Sequence, residues 1–223
     1  MSSINSLSFL LLGSSGLTGK AVLDRLIQRP EVADIHLPLR NLRPKEWGEV
    51  HSLARLTFSQ VANSPPFFSE IPRARYAGIL CCLGTTIKKA GSRTAFREID
   101  LHAVLEVAQW AHALGVPHFS VVSSLGAHPR SGNFYLQTKG EMEEKLRELQ
   151  FPSTSILRPG LLLGNRQEFR PAEWLGQRVL GFADPILRGP FKNIRGTRVE
   201  HLADLMVSLA LKPEPGFRIF ENI

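Results

Sequence analysis

A chain of 223 residues with a formal charge of +7 is long enough to bury a core. It is basic enough to raise nucleic acid, an anionic membrane surface or a phosphate-bearing small molecule as partners. Its arginines and lysines are scattered from Lys20 to Arg218, with no block longer than Lys88-Lys89 and no sustained basic helix face. That pattern argues against nucleic acid and membrane partners and leaves a solvated basic surface with a phosphate site.

The elements alternate from the start. Leu7 to Leu12 is a short continuous apolar run ending at Gly13, as expected of a strand buried on both faces, and it reads as a strand rather than a signal peptide. From Leu17 to Gln28 the apolar positions Leu17, Ala21, Leu23, Leu26 and Ile27 recur at helical spacing, and Pro30 closes the segment. Ile35 to Leu39 is a second strand. Residues 41 to 70 carry breaks at Pro44, Pro65 and Pro66 and one strand near Leu56. Tyr76 to Leu83 is a strand stopped by Gly84, and Ala95 to Leu114 a single helix with Ile99, Ala103, Leu105, Val107, Ala108 and Ala111 available for its buried face. His118 to Ser123 is a strand, Phe134 to Leu149 a helix and Thr154 to Leu157 a strand. His201 to Leu211 is a last helix, and Phe217 to Ile223 a terminal strand. Strand and helix in steady alternation mean βαβ units, hence an α/β fold with a doubly wound parallel sheet. No linker or repeat interrupts it, so one domain spans 1–223, with residues 160–198 an irregular covering segment rich in Gly, Pro and Arg.

Cys81 and Cys82 are adjacent in an apolar run, too close to bridge without strain, which favours buried free thiols in a reducing compartment. With no membrane-length apolar run, the expected location is the cytoplasm. No His or Cys pair has metal-ligand spacing, so no metal site is expected.

The first strand runs into Gly13-Ser14-Ser15-Gly16-Leu17-Thr18-Gly19 and the first helix, the setting in which glycines receive a dinucleotide. Gly13 permits the tight turn, Gly16 lets backbone approach a pyrophosphate, and Gly19 lets helix and strand pack closely. The helix N-terminus offers N–H groups and partial positive charge, and Ser14, Ser15 and Thr18 add hydroxyls. The G-x-x-G-x-x-G spacing is one residue wider than the usual dinucleotide fingerprint. At the end of the second strand, where an acidic residue would hold the ribose hydroxyls, stand Arg40, Asn41, Arg43 and Lys45. A guanidinium pairs with a 2′-phosphate through two hydrogen bonds, so NADP(H) is preferred over NAD(H), with a solvated basic loop as the alternative. Leu83, Gly84 and Thr85 follow the fourth strand, where they pass near the cofactor or make a simple turn.

Tyr135 and Lys139 are at i and i+4 and share one helix face. A phenol is a poor acid–base catalyst at neutral pH unless a neighbouring ammonium favours its phenolate. Lys139 supplies that ammonium and a hydrogen bond to the nicotinamide ribose. Ser123 and Ser124 end the preceding strand, at the edge where open α/β sheets bind ligands, and either hydroxyl could hold a carbonyl beside Tyr135. Strand-end capping is the alternative for each.

With these motifs the chain resembles the atypical branch of the short-chain dehydrogenase/reductase superfamily along nearly its whole length. The glycine turn, serine followed by Y-x-x-x-K, and Arg158-Pro159-Gly160 carry that resemblance. It is similar in particular to the Tat-interacting-protein-like oxidoreductases, through Cys81-Cys82-Leu83-Gly84-Thr85-Thr86, Lys88 to Ser92, Tyr135 to Glu141, Arg166-Gln167-Glu168, Arg170-Pro171 and Glu173-Trp174-Leu175. It departs at Asp100, where many extended relatives carry a helix asparagine. The resemblance implies a Rossmann-type fold that binds NADP(H), catalysis by Tyr135 and Lys139, and Pro159 and Gly160 bordering the nicotinamide.

These readings predict an NADP(H)-dependent oxidoreductase moving hydride between nicotinamide and a small carbonyl or alcohol, with Arg166, Arg170 and Trp174 as candidate substrate contacts or packing residues. The rival from another class is an NADP(H)-sensing regulator that acts through protein partners without turnover. A sugar-nucleotide epimerase would carry a longer substrate domain after Pro159. A semialdehyde dehydrogenase needs a nucleophilic cysteine, for which Cys81 and Cys82 are badly placed in a buried strand.

Overall fold

The computed structural model describes residues 6–40, 55–60, 71, 74–163, 197–221 and 223. Strands β1 (Leu7–Leu12), β2 (Val32–Leu39), β3 (Arg55–Gln60), β4 (Gly78–Cys81), β5 (His118–Val122), β6 (Ser153–Arg158) and β9 (Gly216–Glu221) form one seven-stranded sheet. Their order is β3-β2-β1-β4-β5-β6-β9 and every pairing is parallel, as in a Rossmann-type doubly wound sheet. The order reverses between β1 and β4, the switch point at which such sheets open a crevice. A short ribbon pairs β7 (Leu162–Leu163) with β8 (Thr197–Arg198), so the two ends of the predicted covering segment are joined. The rest of that segment lies outside the described residues.

Side-chain alternation along the strands feeds two cores. Phe9, Leu11, Ile35, Leu37, Leu80 and Leu157 pack under α1 (Leu17–Leu26) and α6 (Val199–Leu211). Leu10, Leu12, Ile79, Cys81, Phe119, Val121 and Ile156 pack under α4 (Ala103–Ala113) and α5 (Phe134–Glu148). Because both faces are covered, β1 and β4 read as apolar runs, broken in β1 only by Ser8, which made them legible.

One predicted element is corrected. The helix expected over Ala95 to Leu114 begins earlier and is broken: α2 (Ile87–Ala90), α3 (Arg93–Arg97), a π-helical turn over Glu98–His102, then α4. A π turn inserts an extra residue and rotates the following face. Ile99, expected in the buried face, is only half-buried, while Asp100 is completely buried.

His118 gives the fold a pH dependence. Ser153 Oγ donates to the Glu214 carbonyl at 2.7 Å, so it accepts from His118 Nδ1 at 2.9 Å, and that tautomer leaves the buried Nε2 with no partner among the described residues. Burial lowers the His118 pKa to about 4, from 6.5. The folded protein therefore binds fewer protons here than the unfolded chain. The stabilisation is complete above about pH 6.5 and is lost as pH falls toward 4, by roughly 3 kcal/mol. Urea midpoints measured from pH 7 to 4 should fall less steeply in His118→Gln than in the wild-type protein. Equal slopes would remove His118 from the account.

Candidate functional site

The glycine turn is built for close approach. Gly13 has φ +74°, and a Cβ there would stand 2.5 Å from the Cys82 carbonyl oxygen, so β4 presses directly on the turn. A Cβ on Gly19 would be driven into the Gly13 carbonyl, which holds the first turn of α1 against the end of β1. No side chain caps α1 at Gly16. Ser14 is wholly buried, and its Oγ has no partner among the described residues. Glycines where a side chain would fill the space, an uncapped helix start and an orphaned hydroxyl together fit a dinucleotide pyrophosphate. Ser15 and Gly16 are exposed, Leu17 is half-buried and Thr18 buried. Arg40 is exposed just past β2; Asn41 and Arg43 lie outside the described residues, as do Arg166, Arg170 and Trp174.

The second half of the site hangs on α5. Asn133 caps this helix, its Oδ1 accepting from the Tyr135 and Leu136 N–H groups at 2.9 and 3.2 Å, which fixes Tyr135 in the first turn. The half-buried Tyr135 ring leans on Phe96, 5.6 Å between centroids. One turn on, Lys139 is buried, with Nζ 2.8 Å from Asp100 Oδ1 and 3.5 Å from the Val122 carbonyl. Asp100 Oδ2 in turn accepts the Thr85 backbone N–H at 2.9 Å. Burial works against the Lys139 ammonium, but Asp100, with help from Tyr135, outweighs it and the pKa is raised. Lys139 is therefore a cation bound to an anion, not an isolated one.

The two serines part company. Ser123 is buried and its Oγ donates to Glu143 Oε1 at 2.5 Å, and Glu143 is paired with Arg158 at 2.5 Å. Hydrogen bonds from Arg158 to Glu143 and Glu221 raise the Arg158 pKa, so its guanidinium stays charged. Among the described residues the Ser124 hydroxyl makes only a 3.4 Å contact to the Leu125 carbonyl. The Leu125 N–H donates to the Pro159 carbonyl at 3.0 Å, and the Gly160 N–H to Thr197 Oγ1 at 3.1 Å, so Pro159 and Gly160 run beside the Ser124 loop. Leu83, Gly84 and Thr85 lie just past β4, tied to Lys139 through Asp100. The described structure thus brings Ser124, Tyr135, Lys139, Thr85 and Pro159 to the carboxyl edge of the sheet. An open cleft of about 590 Å³ lies beside the Glu143–Arg158 pair, lined also by His128, Arg130 and Gly140; Tyr135 and Lys139 do not line it.

Sequence reasoning missed Asp100, Glu143 and Arg158 as a supporting shell. Asp100 stood out only as a departure from the pattern of extended relatives; it sits among Arg97, Glu98 and His102, and nothing in the local spacing marks it as the partner of Lys139. Among the described residues, no group of three or more His, Cys, Asp or Glu could hold a metal ion, and no helix is long and apolar enough to cross a membrane.

No protein-family model matches the chain. Its sequence is 38% identical over 176 residues to Protein HTATIP2 of Rattus norvegicus, covering 78% of this chain and 70% of that protein. It is 32% identical over 198 residues to Protein FMP52-1, mitochondrial, of Scheffersomyces stipitis, covering 89% and 81%. Among solved structures, serine dehydrogenase from Escherichia coli superposes with a TM-score of 0.65 at 12% identity, over 96% of each chain. A closed form of serine dehydrogenase complexed with NADP+ gives 0.63 at 14% identity, over 96% of this chain and 94% of that one. These two likenesses carry the fold, and the sequence relatives carry the family. The chain belongs to the HTATIP2/FMP52 family, and its fold is the Rossmann-type fold of the dehydrogenases on which it superposes.

Proposed function

We propose that the protein is an NADP(H)-dependent oxidoreductase acting on a small carbonyl or alcohol. The observation that carries this reading is Tyr135 one helical turn from a buried, protonated Lys139, on a helix to which the loop after Ser124 is bonded through His128 and Leu136. NADP(H), when bound, supplies or receives the hydride. Ser124 is the better candidate to hold the substrate oxygen, because the Ser123 hydroxyl is engaged by Glu143. Tyr135 gives that oxygen its proton during reduction and takes it back during oxidation. Among the described residues Lys139 has one N–H direction left after Asp100 and Val122, suited to a ribose hydroxyl. Arg40, with Asn41 and Arg43, is proposed to meet the 2′-phosphate, and Arg166, Arg170 and Trp174 remain proposed substrate contacts.

No nucleic-acid or membrane partner is proposed. The free thiols of Cys81 and Cys82 support a reducing compartment, for which we propose the cytoplasm; the FMP52-1 relative is named as mitochondrial. The second reading is an NADP(H)-sensing module that works through protein partners. The observation in its favour is that Lys139, the cation expected to act on Tyr135, is paired with Asp100 at 2.8 Å.

The test is NADPH oxidation against a panel of aldehydes, ketones and quinones, beside titrations with NADPH and NADH. Turnover on at least one carbonyl is expected; NADPH binding with none across the panel would favour the sensor. Arg40→Glu should weaken NADPH binding roughly tenfold or more and leave NADH binding within about twofold, since it sets a carboxylate against the 2′-phosphate. Equal loss for both would remove Arg40 from cofactor choice.

A further inference from the structure

The Asp100–Lys139 pair is placed where a structural ion pair alone has no reason to be. It sits in a π turn, a distortion that recurs at functional sites, and wholly inside the protein. One carboxylate oxygen holds Lys139, whose helix carries Tyr135; the other holds the backbone of Thr85, in the loop next to the glycine turn. A buried pair of this kind is rarely favoured over apolar packing on stability grounds, so its position asks for another role. We infer that Asp100 is a positioning residue that locks Lys139 to the Gly84–Thr85 loop and offsets most of the lysine's charge at Tyr135, so that the Tyr135 hydroxyl keeps the proton it gives to a carbonyl oxygen and reduction extends to higher pH. This rests on the reductase reading and names the residue that keeps its proton donor protonated.

The chemistry follows from balance. In reduction, hydride adds to the carbonyl carbon, the C=O π electrons move to oxygen, and that oxygen takes the proton from the Tyr135 hydroxyl. Oxidation runs the steps backward and needs the phenolate first. An unopposed ammonium one turn away favours the phenolate; an ammonium paired at 2.8 Å with a carboxylate presents a dipole whose effect falls off faster.

The other groups around the pair do not replace Asp100 among the described residues. On β4, burial pushes the Cys81 thiol up to about 12, so it is neutral. On α3, Phe96 meets the Tyr135 ring, Arg93 lies over Phe134 and Arg97 is paired with Glu141. At the end of β5, Ser123 bonds Glu143, whose charge Arg158 answers.

The chain has only two tyrosines, which permits a direct measurement on the unliganded protein. Burial pushes Tyr76 up to about 12, and the phenolate absorbance missing from Tyr135→Phe identifies the Tyr135 signal. In Asp100→Asn the amide still accepts from Thr85 but no longer opposes Lys139. The Tyr135 signal should then appear about one pH unit lower or more than in the wild type, while circular dichroism shows the fold intact. In the same variant, the alkaline fall of kcat/KM for reduction should move down by a similar amount, with the NADPH Kd within about threefold. If Asp100→Asn does not fold, Asp100→Asn/Lys139→Met, which buries no charge, decides. A Tyr135 signal within about half a unit of the wild type supports the offset, and a rise of about one unit or more shows that Lys139 was acting unopposed and overturns it. An unmoved Tyr135 signal in a folded Asp100→Asn also overturns it, whether or not any substrate turns over. Absent turnover with a moved signal sinks the reductase reading and leaves the charge offset standing.

Discussion

Tyr135→Phe is expected to lower turnover by roughly 10² to 10⁴-fold, the range lost when a positioned proton donor is removed, with NADPH binding within about threefold and little change in stability. Tyr135 is the clean position for this test. Its ring is half-buried against Phe96, a contact phenylalanine keeps, and its hydroxyl bonds none of the described residues. Removing that oxygen therefore subtracts chemistry and almost nothing else. Lys139 is a poor position for the same purpose. Its loss would leave Asp100 buried and unopposed, a defect worth about 3–5 kcal/mol in comparable cases, and any fall in activity would mix catalysis with unfolding. Progress curves of NADPH oxidation on the best substrate of the panel, run beside thermal melts, provide the check. Turnover that survives in Tyr135→Phe would end the proposed mechanism, whatever the cofactor affinity.

The sheet was legible because the strands that carry it are covered on both faces, and burial on both faces writes a near-continuous apolar run into β1 and β4. The glycine turn was legible because glycine has few substitutes where backbone presses on backbone, as Cys82 does on Gly13. The break near Glu98 was not legible. A π turn changes the count by one residue, and a face read at a spacing of 3.6 drifts from Asp100 to Ile99 without any residue type giving notice. The choice between Ser123 and Ser124 was out of reach for a different reason. What separates them is Glu143, twenty residues away on α5, and its pairing with Arg158 at the end of β6. Tertiary contacts of that kind leave no periodic trace. Both misses lie around the site rather than in the scaffold, where charged groups must find partners from distant segments.

Gly140→Ala is expected to destabilise the fold by about 3 kcal/mol, or roughly 10 °C in Tm for a chain of this size, and to reduce turnover further than that loss explains. On an exposed helix the change would help, since alanine is the better helix former by about 1 kcal/mol. Here the new methyl would overlap the His128 carbonyl carbon and the Pro129 nitrogen and stand 2.6 Å from His128 Cα. All three are backbone atoms, so no side-chain rotation relieves the overlap; the loop and the helix must separate. That loop runs on from Ser124, and Gly140 follows Lys139, so the same separation moves the serine hydroxyl away from the Tyr135 face of α5. The clash outweighs the helix preference because it is several contacts deep and falls between two elements already fixed, one by the Asn133 cap and the other by Leu125 donating to Pro159. Gly132→Ala is the matched control. Nothing lies within 4 Å of its added Cβ, and its stability should stay within about 0.5 kcal/mol of the wild type. Urea melts of the two variants decide the structural half, and turnover per folded molecule decides the other. A Gly140→Ala protein as stable and as active as Gly132→Ala would mean that α5 and the serine loop are not held at the spacing on which the proposed proton transfer depends.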